Sequence, residues 1–301
     1  MEAVFIGPDM HNAVSAFACG DSRPHNRGVA HTPWQQRIRR AQQLAGQHSF
    51  AAEILGFYAE VAGFQEALYR RIERACPKVD GGTLQGRVLA ADAALSGAAQ
   101  AEMLAGLGEF LSLVERKAPA RLAHVAHELR KLSSSAWADL LIHGWANVDP
   151  PAEPEEFLAL AVLQPYAELV RTQTPLPLEN YSSALCPLCS RAPACSVLRP
   201  LGDGGRRSLL CGFCVTEWEF RRIVCPGCGQ EDHAKLPVYT AAELPHIRVE
   251  CCDVCQTYVK SIDLTKNGLA EPLVDELAAV PLDLWAQERG YAKLRLNLLG
   301  M

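Results

Sequence analysis

Four pairs of cysteines, each with two residues between its members, occupy the last third of this 301-residue chain. The pairs are Cys186/Cys189, Cys211/Cys214, Cys225/Cys228 and Cys252/Cys255. A two-residue gap allows a tight turn that points both sulfur atoms at one metal ion, with backbone N–H groups placed to donate to the thiolates. A single pair could equally be a redox dithiol, but four closely spaced pairs predict metal centres.

The order of the pairs favours two separate centres. Residues 190–210 and 229–251 each leave room for a hairpin, although both gaps slightly exceed the usual length in such zinc sites. Sequential pairing is therefore preferred over cross-braced pairing, and it gives two ligand sets. Centre 1 is Cys186, Cys189, Cys211 and Cys214, and centre 2 is Cys225, Cys228, Cys252 and Cys255. Cys251 is a competing ligand in the last turn, where Cys252 keeps the two-residue gap.

Small size also favours metal. Each cysteine unit is too short to bury a sufficient core of its own. A structural metal ion can contribute on the order of 10–16 kcal/mol to the folding of such a unit. Four thiolates suit zinc or iron, and the spacing alone favours zinc.

Composition excludes some classes of protein. The chain is 49% hydrophobic and 21% charged, as in soluble globular proteins, and its net charge of −5 gives no general attraction to nucleic acid or anionic membranes. It has no apolar run long enough to span a bilayer, and its first residues do not resemble a signal peptide. We therefore expect a cytoplasmic protein, in a compartment that keeps thiols reduced.

Changes in composition and hydrophobic periodicity divide the chain into four segments, and together these segments predict the α+β fold class. Residues 1–30 lack periodicity and predict an irregular arm. Residues 31–180 show the helical period and predict a helical bundle. We expect Thr32 to cap the first helix and Ser49 to cap the second. Residues 181–224 and 225–301 predict two zinc-ribbon-like modules built from short strands, the second followed by short C-terminal helices.

The stretch between the second and third cysteine pairs alternates apolar and charged residues. Trp218, Phe220 and Val224 fall on one side of this predicted strand, and Arg221 falls on the other with two glutamates. Residues 186–223 contain six Arg against three acidic residues, so this ribbon is locally basic. Because Trp and Arg are enriched at protein interfaces, we take Trp218, Arg221 and Arg222 as candidate partner-binding residues, against the simpler reading of a solvated strand face.

The cysteine-containing segment resembles the FdhE family, the formate dehydrogenase accessory proteins. The similar features are the paired C-x2-C motifs, the strand "EWEFRRIV" between the second and third pairs, and the "YVK" strand after the fourth. They cover residues 183–264. Ser190 departs from the family, which usually has glycine there. The resemblance implies rubredoxin-like iron, one ion in each centre, rather than zinc.

The resemblance further implies a maturation protein that binds the catalytic subunit of respiratory formate dehydrogenase and performs no catalysis of its own. The chain has no catalytic motif that would indicate an enzyme. Two alternatives stay open: a zinc-ribbon protein that binds nucleic acid, and an iron protein with a redox or oxygen-sensing role. The overall acidity speaks against nucleic acid, which we do not expect as a partner. The sequence leaves the oligomeric state open, a homodimer included.

Overall fold

A computed structural model describes residues 4–5, 32–78, 97–147, 153–176, 178–202 and 204–300. Its helices are α1 (Pro33–Gln47), α2 (Ala52–Ala75), α3 (Gly97–Lys117), α4 (Ala120–Leu129), α5 (Ser134–Ala146), α6 (Pro154–Gln173), α7 (Pro272–Ala278) and α8 (Val280–Glu288). Its strands are β1 (Val4–Phe5), β2 (Cys195–Leu201), β3 (Gly204–Leu210), β4 (Glu217–Glu219), β5 (Val238–Thr240), β6 (Ile247–Cys252), β7 (Thr257–Asp263) and β8 (Ala292–Lys293). The α+β class predicted from the sequence is confirmed.

The first helix begins where the sequence predicts. The Thr32 hydroxyl accepts a hydrogen bond from the Gln35 backbone N–H, and the Gln35 side chain accepts one from the Thr32 backbone N–H. The predicted cap of the second helix is wrong. Ser49 instead begins a short 3-10 turn, and α2 starts after Ala51 with no side-chain cap.

The helical bundle is organised around α6. Every residue from Phe157 to Val170 in this helix is buried, because α2, α3 and α5 pack around it. The helix continues through Pro165. A helix that is apolar on all sides is typical of the centre of a bundle. The apolar core of the bundle runs on without a break into centre 1.

One sheet contains both cysteine modules. Its strands lie in the order β1-β5-β6-β7-β2-β3-β4, and β8 pairs with β7. The predicted hairpin is present as antiparallel β2 and β3. Parallel pairing of β2 with β7, at Ser196 opposite Ser261, joins the first module to the second. The two modules therefore share a backbone hydrogen-bond network across the predicted boundary at residues 224 and 225.

The predicted strand that follows the second cysteine pair is shorter than expected. Only Glu217–Glu219 pairs with β3. The predicted inward side is nevertheless buried, since Trp218, Phe220 and Val224 all lie in the core that includes centre 1.

The C-terminal helices are fastened to the sheet and to the bundle by buried charges. The Lys260 ammonium on β7 lies 2.9 Å from a Glu276 carboxylate oxygen and 2.7 Å from one of Asp283. Arg40 on α1 donates two hydrogen bonds to Asp275 on α7. Removing one partner of a buried ion pair is strongly destabilising, so these pairs fix the relative placement of the elements they join.

The predicted N-terminal arm is described only at Val4–Phe5, which pairs with β5. Its other residues, Cys19 among them, lie outside the described part of the chain. Within the described ranges, no helix combines the length and the apolar character needed to cross a bilayer.

Candidate metal centres

Centre 1 is formed by the cysteine pairs on either side of the β2–β3 hairpin. The sulfur of Cys186 lies 3.4 Å from that of Cys214, and the sulfur of Cys189 lies 3.4 Å from that of Cys211. All four sulfur atoms lie within 4.8 Å of one another. The structure thus brings together the four cysteines that sequential pairing predicts.

Centre 2 repeats this arrangement. The sulfur of Cys225 lies 3.6 Å from that of Cys255, and the sulfur of Cys228 lies 3.6 Å from that of Cys252. The four sulfur atoms again lie within 4.8 Å of one another. Cys252, and not Cys251, belongs to this group.

Both clusters fit a single tetrahedral metal ion. With metal–sulfur bonds of about 2.3 Å, the sulfur atoms of a tetrahedral site are about 3.8 Å apart. The sulfur–sulfur distances of 3.4–3.7 Å in centre 1 and 3.6 Å in centre 2 are close to this value. No disulfide joins the eight cysteines. Their soft thiolate donors suit zinc or iron.

The four cysteine turns share one backbone feature. The residue after the second cysteine of each turn has a positive φ angle: Ser190 at 57°, Val215 at 56°, Gly229 at 76° and Gln256 at 56°. Glycine adopts this left-handed conformation readily, so Gly229 suits its position. The three non-glycine residues adopt it at a cost of about 1–3 kcal/mol each, which metal binding can offset.

Each centre also contains a threonine that the sequence analysis missed. The Thr216 hydroxyl lies 3.1 Å from the Cys214 sulfur, and the Thr257 hydroxyl lies 3.0 Å from the Cys255 sulfur. Both hydroxyls can donate to a thiolate, which makes them partners that stabilise the ligands. The signal in the sequence is the motif Cys-x-Thr, present at the second turn of both modules.

Burial and hydrogen bonds among the thiols shift their pKa values in opposite directions. Burial raises the pKa of Cys186 and of Cys214. Burial also acts to raise the pKa of Cys211, but hydrogen bonds from the other thiols outweigh it and lower that pKa. At Cys255 burial is outweighed by hydrogen bonds from Thr257 and the other thiols, so its pKa falls to about 7. Metal binding must therefore displace protons from several thiols.

Centre 1 is built into the helical bundle. All four of its cysteines are buried. The Gln164 side chain on α6 donates to the backbone carbonyl of Gly212, between the cysteines of the second turn, at 2.9 Å. The Phe213 ring packs edge-on against Trp145 on α5 at 5.7 Å. The helices thus exclude solvent from this centre.

Centre 2 lies at the surface. Cys228 is exposed and Cys255 is partly exposed, whereas Cys225 and Cys252 are buried. Solvent can therefore reach this cluster at Cys228 and Cys255. The two centres therefore share a ligand set but differ in access.

The structure places the candidate partner-binding residues in different environments. Trp218 is only 2% exposed, and its indole N–H donates to the carbonyl of Ser183, so it does not present a surface to a partner. Arg221 and Arg222 are exposed. Arg221 forms an ion pair with Glu231 at 2.5 Å.

Four further cysteine and histidine side chains of the two modules lie outside the clusters. Cys195 and Cys251 are buried free thiols. The His246 ring lies 2.7 Å from an Asp275 carboxylate oxygen, so it belongs to the buried ion-pair network and not to a cysteine cluster. His233 lies in a short 3-10 turn and is not a member of either cluster.

Comparison with known proteins supports the resemblance seen in the cysteine motifs. Residues 185–222 match the family model "FdhE, central domain", and residues 223–299 match "FdhE, C-terminal domain". The chain is 35% identical over 145 residues to the Protein FdhE homolog of Aquifex aeolicus, covering 48% of this chain and 51% of that protein. It is 34% identical over 170 residues to the Pseudomonas aeruginosa homolog, covering 54% and 55%.

The fold agrees over a longer stretch. The crystal structure of the FdhE protein from Pseudomonas aeruginosa is similar with a TM-score of 0.64 and 25% identity, over 88% of this chain and 95% of that one. The sequence matches to the homologs from Aquifex aeolicus and Pseudomonas aeruginosa span only about half the length of those relatives. Residues 185–299, which hold both centres, match the central and C-terminal domains of the FdhE family, and the fold of the chain is similar to that of a solved FdhE protein.

Proposed function

We propose that this protein is a cytoplasmic accessory factor for the maturation of respiratory formate dehydrogenase. On this proposal it binds the catalytic subunit of that enzyme and holds one iron ion in each four-cysteine centre. The observation that carries the proposal is the pair of complete cysteine clusters built into FdhE domains. The family resemblance supplies the client enzyme.

The geometry of the clusters supports a role without catalysis. The eight cysteines would hold the two ions, and the ions would cross-link the turns of each module. Four thiolates fill a tetrahedral site, whereas catalytic metal sites keep one position for substrate or water. A reaction of any small molecule catalysed by the purified protein alone would contradict this part of the proposal.

The identity of the metal is tested on anaerobically purified protein by metal analysis and a visible absorption spectrum. We expect two iron ions per chain and the colour of ferric four-thiolate iron. Two zinc ions and a colourless protein would contradict the iron assignment while leaving the accessory role to be tested separately.

Exposure of centre 2 supports a redox role as the second candidate function. An iron ion held there would lie near the surface, because Cys228 is exposed. Electrochemical titration of the iron-loaded protein, which measures the reduction of the iron ions, tests this idea. We would expect reversible one-electron reduction at centre 2, and irreversible loss of iron on reduction would argue against it.

Ion pairs speak against the nucleic-acid alternative. Arg199, Arg206 and Arg207 in the first ribbon each face a glutamate, at 2.6, 3.6 and 2.6 Å. Arg221 is paired as well. Nucleic-acid binding needs unpaired positive charge to neutralise phosphates. This basic segment is therefore largely neutralised within the protein.

Two binding assays separate the candidates. The tagged protein is mixed with an isolated catalytic subunit of formate dehydrogenase, and in parallel with labelled DNA and RNA. We expect capture of the subunit and no shift of nucleic acid. The reverse result would favour the nucleic-acid alternative, and size-exclusion chromatography of the same sample tests for a homodimer.

A further inference from the structure

A cavity of about 680 Å³ lies between the first module and centre 2. Its wall includes Arg207 from β3, the segment that leads to Cys225, the turn at His233, and Arg248 and Glu250 from β6. Its volume falls within the range of small-molecule sites, about 300–1,000 Å³. Cys225 and Cys252, two of the four cysteines of centre 2, also line the cavity, so it lies directly against that centre.

The charged side chains of this cavity carry a surplus of positive charge. Arg207 forms an ion pair with Glu250 at 2.6 Å, and Arg248 forms one with Asp263. Arg222 also lines the cavity, and within the described ranges it has no ion pair or hydrogen bond. Arg207 and Arg248 are thus each neutralised by a carboxylate, whereas the exposed guanidinium of Arg222 is available to a ligand.

Buried nitrogen atoms at the same place lack acceptors. The Arg207 side chain is only 3% exposed, and its Nε has no hydrogen-bond partner among the described residues. The Nε of Arg248 is likewise buried without a partner in that part of the chain. Both atoms are enclosed by protein, so the accessible donor that this cavity offers to a ligand is the guanidinium of Arg222.

The remaining wall is apolar. It includes Leu198, Ile223, Leu236, Val238 and Leu294. Ile223 is 57% exposed, so part of this apolar wall is open to solvent. An apolar wall opposite a cationic one suits a ligand with an apolar body and one anionic end.

We propose that this cavity binds a carboxylate group carried on an apolar body. A planar carboxylate matches the paired N–H donors of a guanidinium group, and one negative charge matches the one unpaired arginine. The group can come from a free carboxylic acid or from an acidic, apolar peptide segment. The proposal does not depend on formate dehydrogenase being the client enzyme.

Titration calorimetry on the full-length, metal-loaded protein tests the proposal with two matched pairs of probes. The first pair is hexanoate and neutral hexanamide. The second pair is a capped hexapeptide of alternating leucine and glutamate and its glutamine counterpart. We expect at least one acidic probe to bind, and its neutral counterpart to bind at least tenfold more weakly.

Neighbouring arginines provide the matched variants. Arg222→Gln should weaken the acidic probe at least tenfold, since it removes the unpaired cation. Arg221→Gln should change the affinity less than twofold, because Arg221 is equally exposed but is paired with Glu231 and lies outside the cavity wall. Ala234→Trp, an exposed position on the wall, should block the cavity and abolish binding.

If hexanoate alone binds, the ligand is a free carboxylic acid. If the acidic hexapeptide binds more tightly, the ligand is a protein segment. Either result supports a carboxylate site in this cavity. Metal content and melting temperature of each variant confirm that the fold is intact. The proposal is overturned if neither acidic probe binds, if the neutral probes bind equally well, or if Arg221→Gln and Arg222→Gln have equal effects.

Discussion

The guanidinium carbon of Arg191 lies 3.9 Å from the ring centroid of Phe213, so the arginine that follows the first cysteine turn stacks on the aromatic ring inside the second. The same guanidinium donates to the carbonyl oxygens of Gly144, Trp145 and Asn147, at 2.8–3.1 Å. Arg191 therefore joins both turns of centre 1 to the end of α5.

Replacing this arginine should destabilise the protein more than replacing a surface arginine. We expect Arg191→Ala to lower the free energy of unfolding by about 2–4 kcal/mol, because it removes buried charge-assisted hydrogen bonds and a stacked contact. Arg206→Ala, at an exposed and weakly paired site, is the control and should cost under about 0.5 kcal/mol. Guanidinium denaturation measures both, and equal losses would show that Arg191 has no special structural role.

Single serine substitutions should empty one centre at a time. Cys211→Ser is expected to reduce the metal content from two ions to one by removing a ligand of centre 1, and Cys252→Ser should do the same at centre 2. Cys251→Ser, next to the ligand but outside the cluster, is the control and should keep both ions. Metal analysis measures the content, and loss of both ions from either ligand variant would contradict independent centres.

A chelator should remove the two ions at different rates. Centre 1 is buried, whereas centre 2 has the exposed Cys228, so we expect two kinetic phases of one ion each, with the faster phase at least tenfold quicker. Cys211→Ser should retain the fast phase and Cys252→Ser the slow one. Absorbance of the metal–chelator complex follows the release. A single phase in the unmodified protein would count against this difference in access.

Glu276 should make stability sensitive to acid. Burial acts to raise its pKa, but Lys260 and Lys293 outweigh burial and lower that pKa to about 2, below the ordinary value of 4.5. Since the folded-state pKa is the lower one, this contribution to stability is complete above pH 4.5 and is lost as the pH falls toward 2.

Between pH 5 and pH 2 the free energy of unfolding should therefore fall by about 3 kcal/mol more in the unmodified protein than in Glu276→Gln. Loss of metal in acid affects both proteins, so the difference between them isolates the carboxylate. Glu231→Gln, which removes an exposed carboxylate, is the control and should retain most of the acid dependence. Parallel curves for Glu276→Gln and the unmodified protein would refute the assignment.

Local patterns made the cysteine turns predictable from the sequence. A two-residue gap, a following residue able to turn and an intervening hairpin are all short-range features, so the ligand sets, the cap at Thr32 and the β2–β3 hairpin could be predicted. The alternation around Trp218 indicated the buried side correctly. It could not show that this tryptophan is sealed in the core, because that depends on helices distant in the chain.

Long-range contacts account for what the sequence could not show. The pairing of Ser196 with Ser261 merges two modules that look separate in the sequence. The burial of Arg191 and Lys260 could not be predicted from the sequence, since their partners lie on other elements. The roles of Thr216 and Thr257 did have a local signal, the repeated Cys-x-Thr motif.

The most direct test of the proposed accessory role is formate dehydrogenase activity in cells whose only copy of this protein carries Cys225→Ser together with Cys228→Ser. We expect much lower activity per unit of catalytic subunit than in cells with the unmodified protein, while the Cys251→Ser control keeps normal activity. The double variant must be present at normal levels and must have lost the metal of centre 2. Full activity under those conditions would contradict the claim that this centre serves enzyme maturation.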